Sequence, residues 1–277
     1  TIMITIDPLA VPHELAARFA ELSSVLAVVL SGSTSNRVDD GKSDFDIYVY
    51  TTEEIPVAWR TEVARRHGTH LAIDNRYWEL GDDWIDTRIH RMVDVIYRWP
   101  DWIEEQIDRL LLRCEASTGY STCFWHNVLH SETLFDRDGW YGRLQERARQ
   151  PYPDELRRAI VAKNHPILRR TLSSYMQQLE LAIERADHQS VNHRVGALLA
   201  GYFDILFALN RQPHPGEKRL VAYAETLCPL RPPALAQQVE AVIAAVAPAG
   251  QAALLAHANA LLDSLDEILL AEGLIDA

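Results

Sequence analysis

The sequence predicts an α+β protein, with strands and helices intermingled over residues 1–150 and a wholly helical bundle over 151–277. Two observations carry this. Strand-like apolar runs and alternations occur only in the first part, and they stop at Pro151-Tyr152-Pro153-Asp154, two prolines followed by a helix N-cap. Beyond that point only helical spacing remains. A chain of 277 residues, 48% of them hydrophobic, is long and apolar enough to fill two cores, so the expected domains are 1–150 and 151–277.

Residues 12–22 (PHELAARFAEL) put Leu15, Phe19 and Leu22 at helical spacing. Residues 25–30 (VLAVVL) have the length and branching of a buried strand. That strand ends at Ser31-Gly32-Ser33, where glycine lets the backbone turn sharply and approach a ligand. The chain returns as Asp44-Phe45-Asp46-Ile47-Tyr48-Val49-Tyr50, a strand with Phe45, Ile47 and Val49 on one face and Asp44 and Asp46 on the other. Residues 58–68 read as a helix closed by glycine, and 70–73 as a short strand. Residues 75–84, aromatic and acidic together, read as a strand passing into a loop. An apolar strand comes next at 91–98 (RMVDVIYR) with Asp94 in its middle, then an amphipathic helix at 102–113. Residues 133–140 read as an edge strand entering an Asp-Gly turn, with Asp136 and Asp138 as turn residues.

In the second part, residues 156–186 form one helical segment, kinked or broken at Pro166. Residues 191–209 carry an apolar face from Val195 to Leu209; a loop at 211–217 and a short helix at 218–227 come after it. Helices at 234–246 and 252–270, parted by Pro248-Ala249-Gly250, complete the bundle.

The chemistry concentrates in residues 25–50. Two carboxylates on one face of a strand repel unless a cation sits between them. A Gly-Ser turn that can offer N–H groups to phosphate indicates what the cation accompanies: a nucleoside triphosphate with a divalent metal. Asp94 poses a related problem. Between Val93 and Val95 a buried, unpaired carboxylate costs on the order of several kcal/mol, so it needs a partner. An ion pair with Arg91 or Arg98 is the plain alternative to a functional role.

These residues resemble the nucleotide-binding signature of the polymerase-β-type nucleotidyltransferases, an apolar strand, Gly-Ser, a gap of about ten residues and Asp-x-Asp in a second strand. Here the elements are Gly32-Ser33, then Asp44 eleven positions after Ser33, then Asp46, with Ser43 before the first carboxylate. The resemblance covers the first 150 residues by motif order, and is nearest in character to the aminoglycoside and lincosamide nucleotidyltransferases. It implies a polymerase-β-like domain, a mixed sheet flanked by helices, ahead of the helical bundle. It also implies a third carboxylate facing the Asp-x-Asp pair from another strand, a position that Asp94 fits. Arg37 departs from the small residue that many members keep after Gly-Ser.

The activity implied by the resemblance is a Mg²⁺-dependent transfer of a nucleoside monophosphate, AMP from ATP or its equivalent from another NTP, onto a hydroxyl of a small-molecule acceptor, an antibiotic among them. Asp44, Asp46 and Asp94 would be catalytic residues and metal ligands, holding two Mg²⁺ about 3.5–4 Å apart. Oxygen-only ligands suit that ion. Gly32, Ser33 and Ser43 would hold the nucleotide, and Lys218, after Pro215-Gly216-Glu217, would reach a phosphate. Transfer to RNA or protein, as in toxin-type relatives, is the enzyme alternative; a nucleotide-binding regulatory module without turnover is the non-enzyme one.

Other residues carry less. Arg157, Arg158, Lys163, Arg169 and Arg170 form a basic stretch that reads first as a solvated helix face and second as a phosphate contact. Glu79 or Asp82 is a candidate further base beside Asp94. Tyr77, Trp78, Trp84 and Trp125 read as core or rim aromatics before stacking platforms. His126 and His130 have metal-like spacing without a companion acid, so they read as structural. The net charge of −12 speaks against a surface that grips nucleic acid. Three scattered cysteines make neither a zinc site nor a disulfide framework. With no basic-then-apolar leader and no run of about 20 apolar residues, a cytoplasmic monomer or homodimer away from membranes is expected.

Overall fold

The computed structural model describes residues 7–31 and 44–276. The chain divides into two compact units, one of Thr1–Ile107 with Asn127–Gln150, the other of Asp108–His126 with Pro151–Ala277.

The first unit is built on a mixed six-stranded sheet. Its strands are β1 (Val25–Ser31), β2 (Phe45–Thr51), β3 (Gly68–Asn75), β4 (Gly81–Asp86), β5 (Arg91–Arg98) and β6 (Glu132–Asp136), ordered β3-β4-β5-β2-β1-β6. β2 and β5 run parallel, and every other pair is antiparallel. The expected α+β class is what the structure shows. One sheet face carries Leu30, Phe45, Ile47, Val49, Val93 and Val95, all buried against helix α1 (Ala10–Ala20) and helix α2 (Val57–Arg65). A glycine is required where α2 turns back into β3, because a Cβ on Gly68 would lie 2.4 Å from the Ala64 carbonyl oxygen and 2.8 Å from the Trp84 ring.

The opposite face is covered at the Tyr50 end of β2. There Tyr50 packs 5.3 Å from Trp140 and 5.5 Å from Tyr141, both on α5 (Trp140–Ala148). Asp136 accepts from the backbone N–H groups of Tyr141 and Gly142 and so caps that helix, and Asp138 takes a left-handed turn conformation. Both are turn residues, as the sequence suggests.

Three local expectations change. Residues 76–80 form the connection and Gly81–Asp86 the strand, the reverse of the predicted order, because the alternation in β4 is built from acids as well as apolar groups. Helices α4 (Cys123–His130) and α5 also go unforeseen. Between them and β5, α3 (Pro100–Leu111) begins slightly before the expected helix.

The second unit contains α6 (Asp154–Arg169), α7 (Tyr175–Glu184), α8 (His188–Leu209), α9 (Leu220–Leu227), α10 (Leu235–Ala244) and α11 (Gln251–Ala271). α6 continues past Pro166 to Arg169, and Ser174, whose hydroxyl accepts from the Gln177 N–H, starts α7. The proline removes one helical hydrogen bond, whereas the serine cap gives the chain a new beginning, so the break falls at the cap. α8 is the central element, with Val191, Val195, Leu198, Tyr202, Ile205 and Leu209 buried among its neighbours.

The segment Asp108–His126 joins this unit through polar bonds. Asp204 of α8 accepts from the Ser121 N–H (2.8 Å), the Ser121 hydroxyl (2.6 Å) and the Asn164 amide (3.2 Å), while Asn164 accepts from the Gly119 N–H. Burial pushes the Asp204 carboxyl up to about 6 even with those donors. No described helix is long and apolar enough to cross a membrane.

Candidate active site

Side chains alternate along a strand, so register decides which of them meet. On the sheet face away from α1 and α2, Ser31 of β1 stands opposite Asp46 of β2, Asp46 beside Asp94 of β5, and Asp94 opposite Asp83 of β4. The result is a row across four neighbouring strands: a serine, then three carboxylates, each about 4.8 Å from the next strand. Asp44, exposed, precedes β2 with the same parity as Asp46. The structure therefore brings Asp46 and Asp94 together as the sequence led one to expect.

Asp83 is a member of this row that sequence reasoning missed. Its Oδ2 accepts from the Asn75 amide at 2.9 Å, and Asp94 hydrogen-bonds to it. The signal was present in Asp82-Asp83-Trp84, whose members must alternate faces once the strand is placed at Gly81–Asp86 rather than before it. Gly81 keeps the row's edge open, since a Cβ there would meet the Val95 carbonyl oxygen at 3.1 Å and Asp94 at 3.8 Å.

The electrostatics register the crowding. The Asp94 carboxyl is pushed up to about 7, first by burial, then by the charge of Asp83 and the hydrogen bond to it, then by Asp46 and Asp44. Neither arginine proposed as its ion-pair partner fills that role among the described contacts. Arg98 forks onto Glu79 (2.8 and 2.6 Å) and stacks 3.9 Å over the Tyr48 ring. Arg91 stands on the other face, 4.2 Å from the Phe45 ring centroid.

The two candidate further bases are otherwise engaged. Glu79 is held by Arg98. Asp82 lies on the core face and is 1% exposed; its Oδ1 accepts from Arg60 (2.6 Å) and the Asp74 N–H (2.8 Å), and its Oδ2 from the Tyr97 hydroxyl (2.7 Å). With both oxygens saturated, Asp82 is a structural acid. Asp83, its chain neighbour, is the one that faces Asp94.

At the β1 end, the Ser31 hydroxyl, 4% exposed, accepts from the Asn127 amide at 2.5 Å, which ties α4 to the strand end that leads into the predicted phosphate turn. Gly32, Ser33 and Ser43 of that turn, and Arg37, lie outside the described residues. Lys218 is exposed in the second unit, ahead of α9.

The row offers only oxygen donors, crowded enough to hold a proton near neutrality, and in that respect it suits a hard divalent cation. Among the described residues, no three carboxylates, imidazoles or thiolates stand close enough together to chelate one ion unaided. A divalent cation held here would need further donors beyond these side chains.

The basic stretch at the start of the helical unit is committed elsewhere. Arg157 is 3% exposed, donating to the Leu209 carbonyl and Glu272; Arg158 pairs with Asp154, and Arg169 with Asp263 and Asp266. His126 is buried with its ring edge-on to Tyr223.

Comparison with solved structures finds nucleotidyltransferase-like proteins. One is a nucleotidyltransferase-like protein from Exiguobacterium sibiricum, similar at a TM-score of 0.44 and 12% identity over 95% of this chain and 74% of that one. Another is the Thermotoga maritima CCA-adding enzyme complexed with tRNA, at a TM-score of 0.31 and 12% identity over 96% of this chain and 83% of that one. No protein-family model and no curated protein matches the chain. At these values neither likeness assigns a role to any residue here.

Proposed function

We propose that the chain is a Mg²⁺-dependent nucleotidyltransferase that moves a nucleoside monophosphate, AMP from ATP in the first instance, onto a hydroxyl of a small-molecule acceptor, with antibiotics the first acceptors to try. The observation that carries the reading is the register that lines up Asp46, Asp94 and Asp83 on one open sheet face beside the Gly-Ser strand end.

In this reading Asp44 and Asp46, with Asp94, hold the cation that accompanies the triphosphate. Mg²⁺, two ions when the site is filled, would neutralise the phosphates and acidify the acceptor hydroxyl. Gly32, Ser33 and Ser43 cradle the phosphates, and Lys218 is the further phosphate contact to test. The acceptor oxygen bonds to the α-phosphorus as the bond to the β-phosphate oxygen breaks. Pyrophosphate leaves with that electron pair, and the hydroxyl proton passes to Asp94. In the metal-free row burial and the neighbouring acids hold a proton on Asp94, and a cation on the row would release it and leave the carboxylate able to accept another. Asp83, at the far end of the row from the nucleotide turn, fixes Asp94 from the acceptor side.

A small acceptor is favoured over RNA because the net charge is −12 and because Arg157 and Arg169 are tied to carboxylates within their own unit. The test is incubation with each α-labelled NTP, Mg²⁺ and pooled hydroxylic acceptors. Label moving to a small molecule with stoichiometric pyrophosphate supports the reading. Label entering RNA or protein alone, or no transfer from any NTP, overturns it.

A further inference from the structure

The reverse face of the same sheet holds a second cleft, between α1 and α2. Its volume is about 420 Å³, within the range of small-molecule sites. The floor is apolar: Leu15 from α1, Val63 and Ala64 from α2, and the Trp84 ring from β4. At the mouth stand Arg18 and Arg66, with exposed Ala17 between the two helices' rims.

The cleft's own carboxylates are already satisfied. Asp86 accepts from the N–H, Nε and Nη2 of Arg88, and Glu14 accepts from Nη1 of the same residue, so Arg88 clasps α1 to the end of β4. The two mouth arginines are held by ion pairs at the surface. Arg18 is bound through Nη1 to both oxygens of Glu21 and lies 5.8 Å from the Trp59 ring centroid, and Arg66 is bound through Nη2 to Glu62. Such pairs contribute little and exchange readily for a better anion. Two guanidinium groups in exchangeable ion pairs at the rim of an apolar, ligand-sized cleft suit an anionic head carried on an apolar body.

We propose that this cleft binds a small apolar carboxylate, with its hydrocarbon body on Trp84 and Leu15 and its charged head between Arg18 and Arg66. The site is distinct from the acidic row: Trp84 and Asp83 are chain neighbours that project from opposite faces of β4. It stands on its own observations and does not depend on the transferase reading.

Octanoate is a suitable probe, titrated calorimetrically into the full chain with no nucleotide present, and octanol serves as the uncharged body of the same length. Octanoate is expected to bind saturably at one site, with a negative heat-capacity change from apolar burial. Octanol is expected to bind about tenfold more weakly or worse, the worth of a charge-assisted hydrogen bond. The double variant Arg18→Gln with Arg66→Gln should bring octanoate down to the octanol level. Ala17→Trp, an exposed substitution that fills the mouth without touching the core, should abolish binding of both, with its melting temperature checked to show that the fold is kept. Equal affinity for octanoate and octanol in the unaltered chain would overturn the anion assignment. Octanoate binding that survives Ala17→Trp, or no saturable binding at all, would overturn the site.

Discussion

Replacing Asp94 by Asn should make the protein more stable above neutral pH while removing its activity. In the folded chain this carboxyl titrates at about 7 rather than 3.8. A group whose pKa is raised on folding gives stability that is complete below its unfolded value and is lost as pH rises through the folded one. Native stability should accordingly decline between pH 4 and 7 from this source alone. Each pKa unit corresponds to about 1.4 kcal/mol, so the full displacement bounds the loss at about 4 kcal/mol. Asp94 is only partly buried, and solvent screening reduces this to something like 2 kcal/mol. Asn keeps a hydrogen bond to Asp83 but carries no charge, so the variant should escape the loss. At roughly 2–4 °C per kcal/mol, its melting temperature at pH 8 in chelator should exceed the native value by about 4–8 °C, with no difference at pH 4. Adding Mg²⁺ at pH 8 should raise the native melting point more than the variant's, because the ion replaces the proton as partner of the row. Single-turnover transfer in the variant should fall by about 10²–10⁴-fold, the share of one positioned proton-transfer group. A variant that melts lower than native at pH 8, or that transfers at the native rate, would refute this account of Asp94.

Asp46→Asn, and Asp44→Asn likewise, should abolish transfer, measured by pyrophosphate release, and retained release in either variant would sink the role of the row in holding the cation. Asp83→Asn removes the nearest charge that raises Asp94, so the fall of melting temperature with pH measured in chelator should shrink; an unchanged fall would dissociate Asp83 from Asp94. Arg60→Leu leaves Asp82 buried with its strongest donor gone, and urea unfolding should show a loss of about 3–5 kcal/mol while the rate per folded molecule is unchanged. Turnover with a small acceptor should vary little between about 50 and 200 mM salt, whereas a steep fall over that range would point to an acceptor held through many phosphates.

Much of this was legible in the sequence because strand alternation is a strict code. The sorting of Phe45, Ile47 and Val49 from Asp44 and Asp46 comes from period two alone, and Asp94 between Val93 and Val95 announces a carboxylate on the face opposite its neighbours. What remained hidden depends on pairing. β4 and β5 form a hairpin over residues 87–90, but only the strand's true bounds, Gly81–Asp86, set the register in which Asp83 rather than Asp82 meets Asp94. The pair Asp82-Asp83 is symmetrical in sequence and becomes unlike only when Arg60 and Tyr97 claim one member from the core side. In the basic stretch the solvated-face reading fails at Arg157, which is buried and whose counter-charge, Glu272, lies more than about a hundred positions away. Pro166 was over-read as a break because a cap further along the chain, at Ser174, decided the matter.

The three bonds that Ser121 and Asn164 give to Asp204 bear on how such a protein can be taken apart. The chain passes between its two units after Ile107, again after His126 and again after Gln150, so no single cut separates them. A fragment that began at Pro151 would keep Asp204 in an apolar interior with both Ser121 donors missing. It should aggregate or stay molten until a peptide carrying residues 108–126 is supplied in trans. In sequence the helical unit is interrupted by residues 127–150 of the sheet unit, so a single crossover after Gln150 would part Asp204 from its Ser121 donors.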